Sequence, residues 1–283
     1  MIKSISYWSL KDGLNGTHPI ANAIEDAQQA GFEALELAVG TEGAFHVQMS
    51  GSELQQIADQ ISKSGMQVPT VAAGLSWGCN PLSNDSEIRK RSIEIHAQAL
   101  RCTAAVGAKA MLMVPGVVGG PMSGGNFVRY DHALERARIA TEALIPVAQE
   151  VGVDLCLENV WNGLFYSPVE FASFIDSFTS NRLGVYFDVG NVLGYHQYPP
   201  HWIELLGKRI KRVHIKDYTE AFGFIGAYSF CSLGTGQVPW EESIKALKAI
   251  GYDQTVVAEM MPWEPGLLAR TSSEMDRILG LGG

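Results

Sequence analysis

Apolar and polar residues follow two different periods along the chain, and the switch between them recurs eight times. Short apolar runs rich in β-branched residues predict strands at 2–8, 34–39, 67–74, 108–116, 153–159, 183–191, 210–217 and 254–260. The longer amphipathic segments predict helices at 18–30, 52–65, 86–106, 130–151, 168–177, 200–208, 240–250 and 270–280. Strands that are apolar almost throughout are typical of a parallel sheet covered on both faces. Eight such units predict an α/β fold, a single (β/α)8 TIM barrel.

Residues that favour helix ends support this division. Ser167 and Pro168 offer an N-cap followed by proline at the first helical position, and Pro239 precedes the seventh helix in a similar way. Five predicted helices are followed by a glycine, which adopts the left-handed conformation that ends a helix at little steric cost. These glycines are Gly31, Gly65, Gly107, Gly152 and Gly251.

No linker or shift in composition divides the chain, so we expect one catalytic domain over 1–283. A doubly wound open sheet is the alternative fold. Such a sheet more often carries a glycine-rich phosphate fingerprint after its first strand, and the sequence SYWSLKDGLNG at that place is not one.

Charge and hydropathy narrow the range of partners. The net charge is −9 and the basic residues do not cluster, which argues against a nucleic-acid partner. No stretch approaches the roughly 20 apolar residues that a membrane-spanning helix needs.

The N-terminus and the cysteines bear on the compartment. The opening MIKSISYWSL lacks the apolar core of a secretory signal. Cys79, Cys102, Cys156 and Cys231 are scattered without a CxxC pair, so we expect free thiols in a reducing compartment. Both observations predict a cytoplasmic protein.

Four consecutive predicted strands end in a residue able to bind a metal. Strand five ends in Glu158, strand six in Asp188, strand seven in His214 and strand eight in Glu259. In a TIM barrel the carboxyl ends of the strands form the active-site mouth. Each carboxylate alone has a structural reading, but several unpaired buried carboxylates are costly and call for a cation. Three carboxylates and one imidazole suit Mn²⁺, Mg²⁺ or Co²⁺ better than a thiolate-rich zinc site.

At these residues the sequence resembles the xylose-isomerase-like sugar isomerase/epimerase superfamily. The resemblance is most specific in LENVWN, YFDVGN, RVHIKD, GTGQVPW and VVAEMMPW, and it is nearest the ketose 3-epimerase and hexulose-phosphate isomerase branch. It implies that Glu158, Asp188, His214 and Glu259 hold a divalent metal, most simply Mn²⁺. It also implies that Glu158 and Glu259 are the catalytic acid and base, that the substrate is a sugar or sugar phosphate, and that the protein is a homo-oligomer.

The sequence departs from the family pattern at two positions that bind substrate in some relatives. Some sugar epimerases of this group have a substrate-binding histidine three residues after the aspartate ligand, where this chain has Asn191. An arginine that some relatives have after the histidine ligand has no counterpart in HIKDYTEAFGF.

Other residues near the predicted strand ends are candidates for substrate binding. These are Asn191, Lys216, Trp161, Asn162, Trp8 and Trp77. A salt bridge with Asp217 or another mouth carboxylate is the alternative for Lys216, and core packing is the alternative for Trp8 and Trp77.

Three further features receive weaker interpretations. Glu36 at the end of strand two is read as a structural ion pair, with the orientation of a group behind the metal ligands as the alternative. The backbone amides of SLGTGQVPW are either a phosphate cradle or an ordinary tight turn. His196 and His201 are expected in loops, and the remaining histidines receive no functional role.

Other functions stay open at this point. An aldose–ketose isomerase and a dehydratase acting on a keto-inositol or dehydroshikimate-like ring would use the same metal-assisted proton abstraction. An AP-endonuclease-like repair enzyme would need additional histidine ligands at the early strand ends, and the chain does not have them there. A sugar-binding module without catalysis would bind the metal and ligand without proton exchange.

Overall fold

A computed structural model of the chain describes residues 1–120, 125–222 and 227–281. The strands are β1 (Ile2–Ser6), β2 (Ala34–Ala38), β3 (Thr70–Ala73), β4 (Ala110–Met113), β5 (Asp154–Glu158), β6 (Leu183–Asp188), β7 (Ile210–Ile215), β8 (Asp217–Phe222), β9 (Ala227–Cys231) and β10 (Thr255–Ala258). Eight of them form a closed parallel barrel in the order β1-β10-β7-β6-β5-β4-β3-β2. β1 pairs with both β2 and β10, which closes the ring. The predicted TIM barrel is confirmed.

In the described part of the chain, eight α-helices follow the strands and cover the outside of the barrel. They are α1 (Ile20–Gln29), α2 (Gly51–Ser64), α3 (Ser86–Ala105), α4 (Tyr130–Val151), α5 (Pro168–Asp176), α6 (Pro199–Leu206), α7 (Trp240–Ala249) and α8 (Leu267–Leu279). All five glycines predicted to end helices have positive φ, between 72° and 88°. At the start of α5, Ser167 caps the helix by accepting from the amide of Val169, as predicted. Pro239 lies at the cap position of α7 and gives no side-chain cap.

The strands separate two buried regions. The larger region lies between the strands and the helices, and the smaller lies inside the barrel and contains Ala72, Ala110, Leu112, Val114, Cys156 and Tyr186. On β1, Lys3 points outward, because its ammonium contacts Ser272 and Asp276 of α8. Alternation along the strand therefore turns Ser4 into the barrel.

One element was absent from the sequence prediction. β8 and β9 form an antiparallel hairpin between the seventh barrel strand and α7. The sequence reading took β7 as far as 217 and everything from there to 240 as loop. In the structure β7 ends at Ile215, Lys216 lies between the strands, and β8 begins at Asp217.

The four cysteines are free, as predicted. Over the ranges that the structure describes, no helix combines the length and apolar character needed to cross a membrane.

Candidate metal centre

The four strand-end residues meet in one buried cluster at the carboxyl-terminal mouth of the barrel. Asp188 pairs in register with His214 across β6 and β7, while Glu158 ends β5 and Glu259 follows β10. His214 and Asp188 are fully buried, and both glutamates are about 95% buried. One ligand atom from each residue lies within 4.8 Å of each of the others. The sequence prediction that these four side chains converge agrees with the structure.

The donor atoms are arranged around His214. Its Nδ1 lies 3.6 Å from Glu158 Oε1, 3.6 Å from Glu259 Oε2 and 4.0 Å from Asp188 Oδ2. These separations are too long for hydrogen bonds. They suit donors that share an ion at about 2.1 Å each, because neighbouring donors are then about 3 to 4 Å apart.

One of these donor atoms has no partner, and two others contact only the Lys216 ammonium. His214 Nδ1 is buried without a hydrogen bond, whereas Asp188 Oδ2 and Glu259 Oε2 accept no regular hydrogen bond but are ion-paired with Lys216. Buried polar atoms are nearly always bonded in folded proteins, so an unpartnered nitrogen that faces three carboxylates needs an explanation. A divalent cation would bind this nitrogen together with the carboxylates, and the residues therefore fit the metal that their chemistry implies.

The opposite side of the imidazole is held by Glu36. Glu36 Oε1 lies 2.7 Å from His214 Nε2, and its Oε2 accepts a hydrogen bond from the hydroxyl of Tyr186. An Nε2–H bonded to this carboxylate leaves the Nδ1 lone pair directed at the cluster. The predicted ion pair of Glu36 is thus confirmed with His214 as its partner, and the same contact orients the imidazole. The hydrogen bond from Tyr186 to Glu36 was not predicted from the sequence. The alternation of side chains could have indicated that Tyr186 faces inward, because it lies two residues before Asp188.

Lys216 also points into the cluster. Its ammonium is 2.9 Å from Asp188 Oδ2 and contacts Glu259 Oε2. The residue is only 4% exposed, and a side chain at Gly190 would clash with it, since a Cβ there would lie 2.6 Å from Lys216 Cγ. The salt-bridge alternative for Lys216 is confirmed, with mouth carboxylates as partners rather than Asp217.

Burial and charge shift the titration of the cluster in opposite directions. Burial raises the pKa of Glu158. Burial also acts to raise the pKa of Glu259, but Lys216 and His214 hold it below its ordinary value. For His214, burial favours the neutral ring, yet Glu36, Glu158 and Glu259 together raise its pKa well above the ordinary value. A metal ion would compete with this proton for Nδ1.

Two asparagines lock the ends of β5 and β6 together. The side chain of Asn159 donates to the carbonyl of Asp188 and accepts from its amide. Asn191 donates from Nδ2 to the carbonyl of Asn159, and its amide donates to Asp188 Oδ1. Asn191 is therefore beside the cluster, but its side-chain donor is used to fix the backbone around two ligands.

Trp161 and Asn162 occupy different places in the loop after β5. Trp161 is 42% exposed, donates from its indole to the carbonyl of Asn191 and packs against Tyr218 at 5.0 Å between ring centroids. Asn162 is buried, and both ends of its amide bond to backbone, at Gly116 and Leu164. Trp161 thus offers a surface at the mouth, whereas Asn162 joins two loops.

Trp8 and Trp77 both pack against the apolar residues inside the barrel. Trp8 also closes over Gly74, where an added Cβ would lie 3.2 Å from the indole. Trp77 lines a crevice of about 520 Å³ together with Asn80 and Val117. Both rings therefore contribute to core packing, the alternative given for them, and Trp77 also borders a crevice.

The glycine loop before α7 is held by Asp217. The carboxylate accepts backbone hydrogen bonds from Gly234 at 2.9 Å, Gly236 at 3.1 Å and Val238 at 3.2 Å, and a fourth from the indole of Trp240 at 2.9 Å. These amides already donate to the Asp217 carboxylate and are not available to a phosphate. The reading of this loop as a phosphate cradle is therefore wrong for these donors, and the tight-turn reading holds.

Comparison with known proteins gives a family match over most of the chain and several more distant relatives. Residues 24–275 match the family described as xylose isomerase-like TIM barrel. Over 240 residues the chain is 22% identical to the L-ribulose-5-phosphate 3-epimerase UlaE of Salmonella typhimurium, with 83% of this chain and 79% of the relative covered. It is 27% identical over 137 residues to a 3-oxo-isoapionate decarboxylase of Pectobacterium atrosepticum, covering 46% of this chain and only 48% of that relative.

Solved structures share the fold over nearly the full length. A D-tagatose 3-epimerase-like protein superposes with a TM-score of 0.79 at 19% identity, covering 99% of this chain and 98% of that one. A D-psicose 3-epimerase crystallised in the presence of D-fructose gives 0.78 at 19% identity, with 99% and 100% covered. The IolI protein with a bound zinc atom gives 0.79 at 15% identity, with 99% of each chain covered.

Proposed function

Because this chain belongs to the xylose isomerase-like TIM barrel family, we propose that it is a divalent-metal-dependent 3-epimerase of a ketose. The observation that carries the proposal is the buried cluster of Glu158, Asp188, His214 and Glu259, in which the unpartnered Nδ1 of His214 faces the three carboxylates. We propose Mn²⁺ as the ion, with Mg²⁺ and Co²⁺ as alternatives, and a homo-oligomer as the working assembly.

Inversion of a carbon beside a ketone needs a proton removed from one face and another delivered to the opposite face. One base tends to return the proton to the face it came from, so two separate carboxyl groups are required. Glu158 and Glu259 are suited to these roles, since each approaches His214 Nδ1 to 3.6 Å from a different strand. A bound divalent ion supplies positive charge that favours the enediolate over the ketose.

The remaining candidates are proposed as the walls of the substrate pocket. Lys216 is the cationic donor nearest the carboxylates, and we propose that it donates to a substrate oxygen. Trp161 presents an exposed indole suited to the apolar face of a sugar. Asn191, Asn162, Trp8 and Trp77 are proposed to shape the pocket, Asn162 through the loops that it joins.

The experiment is proton exchange of a ketose panel in D₂O, followed by NMR with and without added Mn²⁺. We expect deuterium at C3 of the substrate only when the ion is present. Glu158→Gln and Glu259→Gln should each reduce this exchange by about 10³-fold or more. Glu42→Gln, on an exposed loop residue, is the matched control. Exchange at C3 that survives both substitutions would refute the two-carboxylate mechanism.

A second candidate is decarboxylation of a 3-oxo sugar acid, which is favoured by the 27% identity to the decarboxylase. Loss of CO₂ from such an acid also generates an enediolate, so the same cluster could support it. Adding oxo acids to the panel separates the two candidates, because only decarboxylation releases CO₂. Conversion to an aldose or loss of water would indicate the isomerase or the dehydratase instead. Tight binding without any exchange would indicate a binding module.

A further inference from the structure

The amino-terminal end of the barrel, its floor, lies opposite the metal centre and contains a buried arginine. Arg212 is 8% exposed and lies two residues before His214 on β7, so both side chains face the barrel interior. Among the residues that the structure describes, no carboxylate lies within ion-pair distance of its guanidinium. Its Nη1 donates to the carbonyl of Lys211, while Nε is buried without a partner.

The groups around Arg212 do not neutralise it. Its electrostatic neighbours include Cys156 and Tyr252, and burial raises the pKa of the Cys156 thiol to about 12 and the pKa of the Tyr252 phenol above its ordinary value. Both are therefore uncharged at neutral pH. Asp154 is already shared by two other cations, Arg182 at 3.3 Å and Lys211 at 3.0 Å.

A crevice of about 320 Å³ at this end of the barrel has Arg212 in its lining. Its lining includes Lys208 and Lys211 as well as Arg212, and one carboxylate, that of Asp253. Asp253 is exposed and accepts a hydrogen bond from Gln254 at 2.5 Å. The lining thus carries three cations against one solvated anion, and of these cations only Lys211 has a carboxylate partner among the described residues.

A buried charge without compensation is strongly unfavourable, and a positively charged crevice with free donors favours an anion. We infer that this crevice binds a small tetrahedral oxyanion, with Arg212 as the buried anchor and Lys208 as an exposed contact. Guanidinium donors match two oxygens of a phosphate at once. The ligand class is inorganic phosphate or the phosphoryl group of a small phosphomonoester. The inference is independent of the proposed function.

The test compares melting temperatures in sodium phosphate and in sodium chloride of equal ionic strength, after removal of metal with EDTA. For the unmodified protein we expect about 20 mM phosphate to raise Tm by about 4 °C over chloride. Arg212→Met should abolish this rise, and Lys208→Met should weaken phosphate binding about fivefold, as measured by ³¹P NMR titration. Arg91→Met, at an exposed site on α3, is the matched control and should respond like the unmodified protein.

Melting in chloride alone separates ligand binding from a purely structural role. If Arg212 serves the anion, Arg212→Met should melt in chloride at the same temperature as the unmodified protein or higher, because the substitution removes an uncompensated buried charge. A lower Tm in both buffers would assign the arginine to the fold and overturn the inference. If Arg212→Met does not fold, the Lys208→Met titration decides.

Equal responses of all variants, or no difference between phosphate and chloride, would also overturn the inference. Glycerol 3-phosphate in place of phosphate identifies the source of the oxyanion. Tighter binding than inorganic phosphate indicates a phosphomonoester, and weaker binding indicates the free ion.

Discussion

The two ends of the barrel present opposite electrostatic problems on the same strand. At the mouth, His214 lies among four carboxylates and one ammonium, and its Nδ1 has no hydrogen-bond partner. At the floor, Arg212 is buried with no carboxylate near it among the described residues, and its Nε has no partner. One end therefore favours a cation and the other an anion.

The difference shows how unsatisfied polar atoms can indicate ligands. The other buried polar atoms without a hydrogen-bond partner include Ser4 Oγ and Thr255 Oγ1 near the floor. They are neutral and therefore do not require an ion. Only the charged orphans carry a large desolvation cost. The sign of the charge then specifies the kind of ligand, a metal at the mouth and an oxyanion at the floor.

The largest effect is expected from a substitution that disrupts the metal centre at the mouth and leaves the anion site at the floor unchanged. Asp188→Asn replaces an anionic ligand by a neutral amide of the same shape, and we expect at least about a 10³-fold loss of ketose turnover. Calorimetric titration with Mn²⁺ should show that the loss arises from weaker metal binding. The phosphate response at the floor should be unchanged. Full metal affinity in Asp188→Asn would remove Asp188 from the ligand set.

A smaller effect is expected when the support of a ligand is changed. Glu36→Gln keeps the volume of the side chain but weakens its bond to His214 Nε2 and no longer favours the required tautomer. We expect Mn²⁺ affinity to fall about 10- to 100-fold, as is usual for partners of histidine ligands. An unaltered Mn²⁺ affinity in Glu36→Gln would show that the 2.7 Å contact does not tune the ligand.

Sequence reasoning found the mouth because each ligand ends its own predicted strand, and the ends of parallel strands converge. It could not assign Glu36, because that role depends on contacts with residues 150 and 178 positions further along the chain. The hairpin was missed for a local reason. A single residue, Lys216, separates β7 from β8, and the two strands read as one run followed by a loop.

The floor was not recognised from the sequence either. Arg212 stands in KRIKR, where it reads as one member of a solvated basic group. The alternation of side chains along β7 could have predicted that Arg212 faces the interior together with His214. Only the folded barrel shows that none of the described carboxylates pairs with it. The helix-ending glycines, in contrast, were predicted correctly because their conformation is a local property.

An effect of intermediate size concerns His96, which belongs to neither end of the barrel. Burial lowers its pKa from 6.5 to about 4, and its ring bonds to the carbonyl of Ser92 at 2.7 Å. The folded pKa lies below the unfolded one, so the neutral ring of His96 favours the folded state. This contribution to the free energy of unfolding is fully present above pH 6.5 and is lost as the pH falls toward 4. Urea unfolding at pH 7 and pH 5 should show a loss of about 2 kcal/mol that His96→Gln lacks. Equal losses in both proteins would assign the pH dependence to the carboxylates of the mouth.

The smallest expected effect tests the neutral orphans of the floor. Thr255→Val removes a buried hydroxyl that has no partner and keeps the shape of the side chain. We expect the free energy of unfolding to rise by about 0.5 to 1.5 kcal/mol, measured by urea denaturation. Ser229→Val, on an exposed residue of the hairpin, serves as the comparison. A loss of stability in Thr255→Val would indicate that ordered water satisfies the hydroxyl.

The pairing of β1 with β10 also fixes the order in which the protein can be completed during synthesis. The first strand emerges from the ribosome early, yet one of its two neighbours is made only after some 250 residues have been added. Glu259 follows that last strand directly, so ring closure and the fourth residue of the proposed metal centre become available to a nascent chain at the same stage of translation. Capture of the ion by a nascent chain would therefore coincide with the end of barrel assembly.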